Sequence, residues 1–493
     1  MIRRYKEGMD REEEARLPPR LDDYVGADNP VRAIDAYVDT LDLRALGFDR
    51  TAPNRTEAGQ PPFPPAALLK LYLYGYVNRV RSSRALEKDC QRNLEVNWLV
   101  KGLRPGYKTV ADFRKRNPKA LRQVHAGFIG LCKELGLLGG ERVGVDGSHF
   151  TGNVSDKSFR SVKGLARDIE KLDKRIGEWL EGMDAADRED LEAPARDPGL
   201  PAKLEKLKAL QALKETREAE LKALEAAGET HRSVTDPDAR LLNKRGNKTA
   251  GYNVQIVVDA KHRLIVADDV VQDRNDFNQL HPMLSQAKAA LGVERLEGLG
   301  DKGYCNMAQL ALCEADGITA YVPEPERGGR QRQDGRFTQE DFRYLPEEDA
   351  YLCPEGKRLK RGGQPRTQNG STIKGYVGSE TDCRRCPLRD RCITAKTTHR
   401  EIWRNEHQVL REALRRRVEA NPGVMRQRSA LVEHPFGTLK CRAGWNHFLV
   451  RGLAKVRGEW SLMALAYNFT RVLNILGLQA FGDCCAQKAA CHC

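Results

Sequence analysis

The chain predicts a mixed α/β core that carries a helical N-terminal domain and two insertions. Three observations lead there. Short apolar runs of strand character recur at 141–150, 251–259, 263–271, 296–301 and 318–322; helical periodicity fills the first 125 residues; and two polar stretches, 160–230 and 325–404, break the strand and helix alternation. A length of 493 residues is too great for one core and calls for about two to four domains.

Residues 1–125 read as helices. Asn29 to Leu46 places Val31, Ile34, Tyr37, Val38 and Leu41 near helical spacing, and Ala66 to Val80 is a second apolar helix after the Pro-rich break at Pro61 to Pro65. Arg79, Arg81 and Arg84 then crowd the start of a helix capped by Ser82 or Ser83, where free backbone amides and guanidinium groups suit a phosphate. Lys108 to Lys119, with Arg114, adds a second basic helix. Together they mark 1–125 as an all-α DNA-binding domain.

The core, 126–324 and 405–478, opens on ERVGVDGSHF. Val143 and Val145 alternate as in a buried strand, which is expected to stop on Asp146, with Gly147 turning the backbone sharply. The chain leaves for the insertion 160–230, two amphipathic helices that pack as a hairpin or form an intermolecular coiled coil. Strands return at Gly251 to Asp259 and Arg263 to Val271, joined as a tight hairpin. A helix from Asp276 to Leu291 then leads into a strand ending at Asp301, and a helix and a last strand at Ile318 to Val322 follow. That element order is the one of a ribonuclease H-like sheet, in which the first strand and a later central one lie side by side, so that Asp146 and Asp301 meet. Asp236, Asp238, Asp259, Asp273 and Asp276 compete for the second position; Asp301 is preferred because helices flank its strand.

Insertion 325–404 contains Cys353, Cys383, Cys386 and Cys392. Thiolates at Cys-x2-Cys spacing, in a segment that shows no apolar core of its own, suit a structural Zn²⁺. Glu433 lies among Leu431, Val432 and Phe436, on one helical face with Phe436 and Lys440, and Pro435 must sit in a first turn or at a kink. Three acids converging from distant segments would make a divalent-metal site. The end of the chain, 479–493, is a Cys-rich tail expected to be mobile, with incidental thiols.

Charge points the same way. Lys and Arg outnumber Asp and Glu by 83 to 69, a formal net charge of +14 that favours a polyanion. No apolar run nears the ~18 residues that span a membrane, and the N-terminus lacks a secretory apolar region. The expectation is therefore a cytoplasmic, nucleoid-associated protein whose 13 cysteines stay reduced.

The pieces PPFPPAALLKLYLYGY with RSSRALE, KTVADFR, VGVDGSHF, DPDARLLNKRGNKTAGYNVQIVVDA, GDKGY, the four cysteines and RQRSALVEHPFGTLK occur in one order from about residue 15 to 478. In this the chain resembles the DD(E) transposases of bacterial insertion sequences, most closely the insertion sequence 1182 group. The resemblance implies a catalytic triad of Asp146, Asp301 and Glu433 around two Mg²⁺ or Mn²⁺ ions. It gives Arg428 and Lys440 as the signature Arg and Lys about the glutamate, with Met425 where tyrosine is usual, and Lys302 and Tyr304 of GDKGY beside the DNA. The partner it implies is double-stranded DNA, both transposon ends and target, held by a homodimer or larger assembly. Rival functions are a DNA-binding descendant without chemistry and a structure-selective nuclease on the same sheet.

Overall fold

A computed structural model describes residues 20–49, 61–189, 200–244, 246–325, 329–394 and 396–490. The chain divides into two compact units, Met1–Cys132 with Arg457–Cys493, and Lys133–Val456.

The first unit is all helix. Asn29 caps Pro30–Asp39 by accepting the Val31 amide at 3.0 Å. Helix Pro65–Val77 buries every residue from Leu68 to Tyr76, so it forms the unit's central post. Its tyrosines put their hydroxyls to use: Tyr72 donates to Val110 O at 2.6 Å and Tyr76 to Glu459 Oε1 at 3.1 Å. Helices Ser83–Arg92, Leu94–Leu99, Tyr107–Arg116 and Pro118–Glu134 follow. The unit then takes in the chain from Arg457 onward, including helix Leu478–Ala490. The tail expected to be mobile is thus helical through Ala490 and buries Phe481 and Cys485, because an apolar face outweighs the cost of ordering it. Cys491, His492 and Cys493 lie outside the described residues.

At the heart of this unit sits Glu459, with no exposed surface. Arg114 Nη1 donates to its Oε1 at 3.2 Å and to Tyr76 OH at 3.1 Å, and Arg81 Nη1 lies 3.9 Å from the same carboxylate oxygen. Both arginines are buried.

The second unit is built on a mixed sheet. Its strands are β1 (Arg142–Thr151), β2 (Phe159–Ser161), β3 (His231–Ser233), β4 (Arg240–Lys244), β5 (Asn247–Asp259), β6 (Ile265–Val271), β7 (Leu296–Leu299) and β8 (Ile318–Tyr321). The main sheet runs β4-β5-β1-β7-β8, with β6 also on β5. One edge of β5 pairs antiparallel with β1, and its other edge carries β4 and then β6. β7 and β8 add parallel to β1. Order β6-β5-β1-β7-β8, with three antiparallel strands and then two parallel ones, fits a ribonuclease H-like core.

The two insertions are distinct bodies of secondary structure. β2 and β3 pair at the foot of the helical hairpin Val162–Glu189 and Leu200–Ala226. These helices pack on each other, burying Leu165, Leu172, Leu207 and Leu224, and Lys214 reaches across to Asp173 at 2.6 Å. The other insertion is a six-stranded sheet of β9 (Arg343–Leu345), β10 (Ala350–Leu352), β11 (Arg358–Arg361), β12 (Arg366–Gln368), β13 (Ser371–Val377) and β14 (Glu401–Asn405). It has the apolar core that the sequence reading denied it: Phe342, Tyr351, Leu359, Tyr376 and Ile402 are buried together. The rings of Tyr344, Tyr351 and Tyr376 pack edge to face or tilted at 5.1 to 6.1 Å, and the Arg404 guanidinium lies 3.7 Å over Tyr344.

Three local expectations change. β1 does not stop at Asp146; it runs to Thr151 because β5 pairs with it throughout, Asp146 opposite Ile256 and Gly147 opposite Gln255. The hairpin between β5 and β6 is longer than two residues: Ala260 to Leu264 connect them, with Arg263 at φ 59°. The helix expected from Asp276 begins at Leu280, which leaves Asp276 in a loop beside β1.

Gly147 is therefore a place of close approach. A Cβ there would lie 2.2 Å from Asp276 Oδ1 and 2.3 Å from Gln255 Nε2. Gly147→Ala is expected to destabilise the core by about 1–3 kcal/mol, and Asp276→Ala in the same chain to return part of that loss, read by thermal unfolding as a double-mutant cycle. Glu459→Ala, which strands Arg114 as an uncompensated buried charge, is expected to cost about 3–5 kcal/mol in the helical unit, measured by denaturant unfolding followed by circular dichroism.

Candidate active site

Where β1 and β7 run parallel, Gly144 stands opposite Leu299. Asp146 follows Gly144 by two residues within β1, and Asp301 follows Leu299 by two residues just past the end of β7, so the register brings the two aspartates near each other. A single nitrogen touches both: Arg428 Nη2 lies 2.5 Å from Asp146 Oδ1 and 3.8 Å from Asp301 Oδ2. Beyond β7 the chain turns through Lys302–Tyr304, and the Asp301 side chain caps this turn by accepting the Gly303 amide at 2.7 Å.

A third carboxylate joins them from the loop after β6. Asp276 Oδ1 accepts Asn253 Nδ2 at 2.8 Å and Gln255 Nε2 at 2.6 Å, and Tyr304 OH donates in turn to Gln255 Oε1 at 2.5 Å. Asn253, Gln255 and Tyr304 are all buried, so β5 presents polar side chains beneath the site while its apolar residues face the core. Burial raises the Asp146 carboxyl above its ordinary value; Arg428 opposes that, and Asp301 and Asp276 push it further up. Burial likewise raises the Tyr304 phenol well above its usual range, with Asp276, Asp146 and Asp301 adding to the shift.

The other competing acids have structural work. Asp259 accepts the amides of Gly139 and Gly140 at 3.1 Å, Asp236 takes Tyr252 OH at 2.7 Å, Asp238 takes Leu453 N at 2.8 Å, and Asp273 holds Gln279.

Helix Val424–Phe436 lies on β1. Leu431 and Val432 pack where Gly144 has no side chain, since a Cβ there would meet Val432 Cγ1 at 3.0 Å. Pro435 sits inside this helix near its end, and the chain continues through a π-helical stretch, Gly437–Arg442. Lys440, in that stretch, donates to Ser148 Oγ and His149 O, both at 2.6 Å, with its ammonium 4.3 Å over the Phe150 ring. Glu433 is exposed, and its carboxylate makes no hydrogen bond or ion pair among the described residues.

Of the residues expected to contact DNA, Arg79, Arg84 and Lys302 are exposed. Arg81 and Arg114 are instead buried against Glu459, and Tyr304 is buried behind the carboxylates. Their polar groups serve internal networks, so these three are not surface contacts.

Cys353, Cys383, Cys386 and Cys392 line one cavity of about 400 Å³ at the end of the inserted sheet. Cys353 Sγ accepts the Lys357 amide at 3.2 Å, and burial raises the Cys392 thiol. The donor set suits a soft ion such as Zn²⁺, and the three aspartates supply the oxygens that Mg²⁺ or Mn²⁺ takes. As the side chains stand, among the described residues no group of three or more His, Cys, Asp or Glu is drawn together closely enough to hold a metal ion. No helix of the described residues is long and apolar enough to cross a membrane.

Two family models match the chain. One, described as Transposase DDE domain, covers residues 352–473 and so spans the four cysteines, Arg428, Glu433 and Lys440. The other, described as Transposase domain (DUF772), covers residues 19–116 in the helical unit. Asp146, Asp276 and Asp301 fall outside both. No curated protein and no solved structure matches. With transposase domains matched at both ends of the chain, around a sheet that fits a ribonuclease H-like core, the comparisons support a transposase of the DDE type, a DNA-cleaving enzyme with DNA as its partner.

Proposed function

We propose that the chain is the transposase of an insertion sequence of the 1182 group, which binds the terminal inverted repeats, cuts to leave a 3′-OH and joins that end to target DNA. One observation carries the reading: Asp146 on β1 and Asp301, two residues past the end of the parallel neighbour β7, lie within reach of one guanidinium, in a chain of net charge +14. Carboxylates set this close repel one another, and such pairs are concentrated at functional sites.

Asp146, Asp301 and Glu433 would hold Mg²⁺ or Mn²⁺, and two such ions would supply the positive charge that an in-line phosphoryl transfer needs at its attacking and leaving oxygens. Asp276, fixed by Asn253 and Gln255, adds negative charge beside them. Glu433 stands on the same helix but is exposed, off the face that Leu431 and Val432 turn to β1, so its joining the aspartates would need its side chain or the helix to move. Lys440 keeps an ammonium on β1 beyond Asp146, where it suits a phosphate next to the cut. Arg428 is a further basic group beside the carboxylates. Exposed Arg79, Arg84 and Lys302 suit the DNA backbone. Two ends must be held at once, which calls for a homodimer or larger assembly on DNA.

The four cysteines would hold a structural Zn²⁺. The aromatic core of the inserted sheet means that its fold does not wait on the metal; zinc would fix the position of the 383–392 segment against Cys353.

Incubation of the purified chain with terminal DNA and Mg²⁺ tests the chemistry. Wild type is expected to yield new 3′-OH ends and Asp146→Ala none; ends produced equally by the variant would sink the assignment. Metal analysis tests the other site: about one zinc per chain is expected in the wild type, lost when Cys383 and Cys386 are both changed to Ser, whereas a zinc-free wild type rejects it.

A further inference from the structure

Arg428 occupies an unusual position for a group whose expected task is to face DNA. Its Nη2 donates to Asp146 Oδ1 at 2.5 Å and lies 3.8 Å from Asp301 Oδ2, while Nε and Nη2 both reach Val145 O at 3.3 Å. The side chain is only 11% exposed. It is thus tied to the backbone of the strand that carries Asp146 and stands between two carboxylates that would otherwise repel. Asp146 Oδ1 also accepts the Gly147 amide at 3.0 Å, so this oxygen already has two donors.

We propose that Arg428 is the resident counter-charge of the Asp146 and Asp301 pair and competes with a divalent cation for Asp146 Oδ1, so that loading the site and freeing the guanidinium are a single event. The inference rests on the reading of these aspartates as cation-holding groups. A hard divalent ion takes its oxygen ligands at about 2.0–2.6 Å, so one approaching Oδ1 from the side facing Asp301 would meet the nitrogen that now lies 2.5 Å from that oxygen. Two positive charges held at one oxygen of a half-buried site repel strongly. The contact that gives way is the guanidinium's, because its ties to Val145 O are long, at 3.3 Å.

Coupling of this kind is reciprocal. Whatever Arg428 costs the cation, the cation costs the Arg428 contact. Once released, a planar guanidinium with five donors is suited to grip a phosphate through two parallel bonds. The helix Val424–Phe436 would then offer its phosphate contact only when the carboxylates are neutralised by other means. In the unloaded protein the same arginine quenches the repulsion that would push β1 and the end of β7 apart.

The experiment is a Mn²⁺ titration of the full chain without DNA, with free Mn²⁺ followed by electron paramagnetic resonance. Wild type, Arg428→Gln, Arg428→Lys and Asp146→Asn are compared. Removal of the competitor is expected to tighten Mn²⁺ binding by about fivefold or more in Arg428→Gln. Arg428→Lys should fall between that variant and wild type, because an ammonium keeps the charge but lacks the fork that spans Val145 O and both carboxylates. Equal or weaker binding in Arg428→Gln overturns the proposal. If circular dichroism shows that this variant fails to fold, Arg428→Lys decides: tighter binding supports the competition and unchanged binding overturns it. Asp146→Asn separates the two levels. It should abolish the tight site; if it binds like wild type, the cation reading of the aspartates falls and the proposal with it, whereas unchanged affinity in Arg428→Gln alongside a dead Asp146→Asn overturns the proposal alone.

Discussion

Strand β1 is hydrogen-bonded along both edges, antiparallel to β5 and parallel to β7, and the arrangement of the site follows from that double pairing. The parallel edge brings Asp146 near Asp301. The antiparallel edge sets Gly147 against Gln255, which places the amide that holds Asp276 directly beneath a residue with no side chain. A slip of one residue on either edge would turn these side chains to opposite faces of the sheet. The strand pairing thus sets the places of Asp146 and of the end of β7 before Asp301, and side-chain amides from β5 hold Asp276 beside them.

Both units bury charge, and they do so in complementary ways. In the helical unit a single carboxylate, Glu459, faces Arg114 and Arg81 with Tyr76 between them. In the sheet unit a single guanidinium, Arg428, faces Asp146 and Asp301. The first cluster is sealed, with Glu459 wholly unexposed, and so it behaves as a structural knot. The second is half open, Asp301 keeping 44% of its side chain exposed, and an open cluster can exchange its counter-ion. Openness, more than composition, separates a group that holds a fold from one that can act.

Much of this was legible in the residues. Apolar alternation at Val143, Val145, Val254, Ile256 and Leu299 marks strands that the structure keeps, and the element order already implies that Asp146 and Asp301 meet. Asp276 is one of five acids competing with Asp301 in the sequence, and its stretch reads as a helix start; the helix begins four residues later, and only the Asn-x-Gln alternation of Asn253 and Gln255, polar residues inside an apolar strand, hints at what it binds. Arg81 and Arg114 read as DNA contacts because they stand at a helix start rich in arginine and on a basic helix. Their partner, Glu459, is distant in sequence, and pairings of that range leave no local trace. The inserted sheet was read as coreless because its apolar content is aromatic and widely spaced, as Tyr344, Tyr351 and Tyr376 are.

That Glu459 lies 345 positions after Arg114 also bears on how the protein is made. A ribosome adds roughly 5–20 residues per second, so the N-terminal helices emerge tens of seconds before the acid that neutralises them. Through that interval two guanidinium groups destined for a sealed interior must stay wet, and the apolar post Pro65–Val77 has no closed shell around it. The first unit therefore cannot close its charged interior until the last part of the chain has been made.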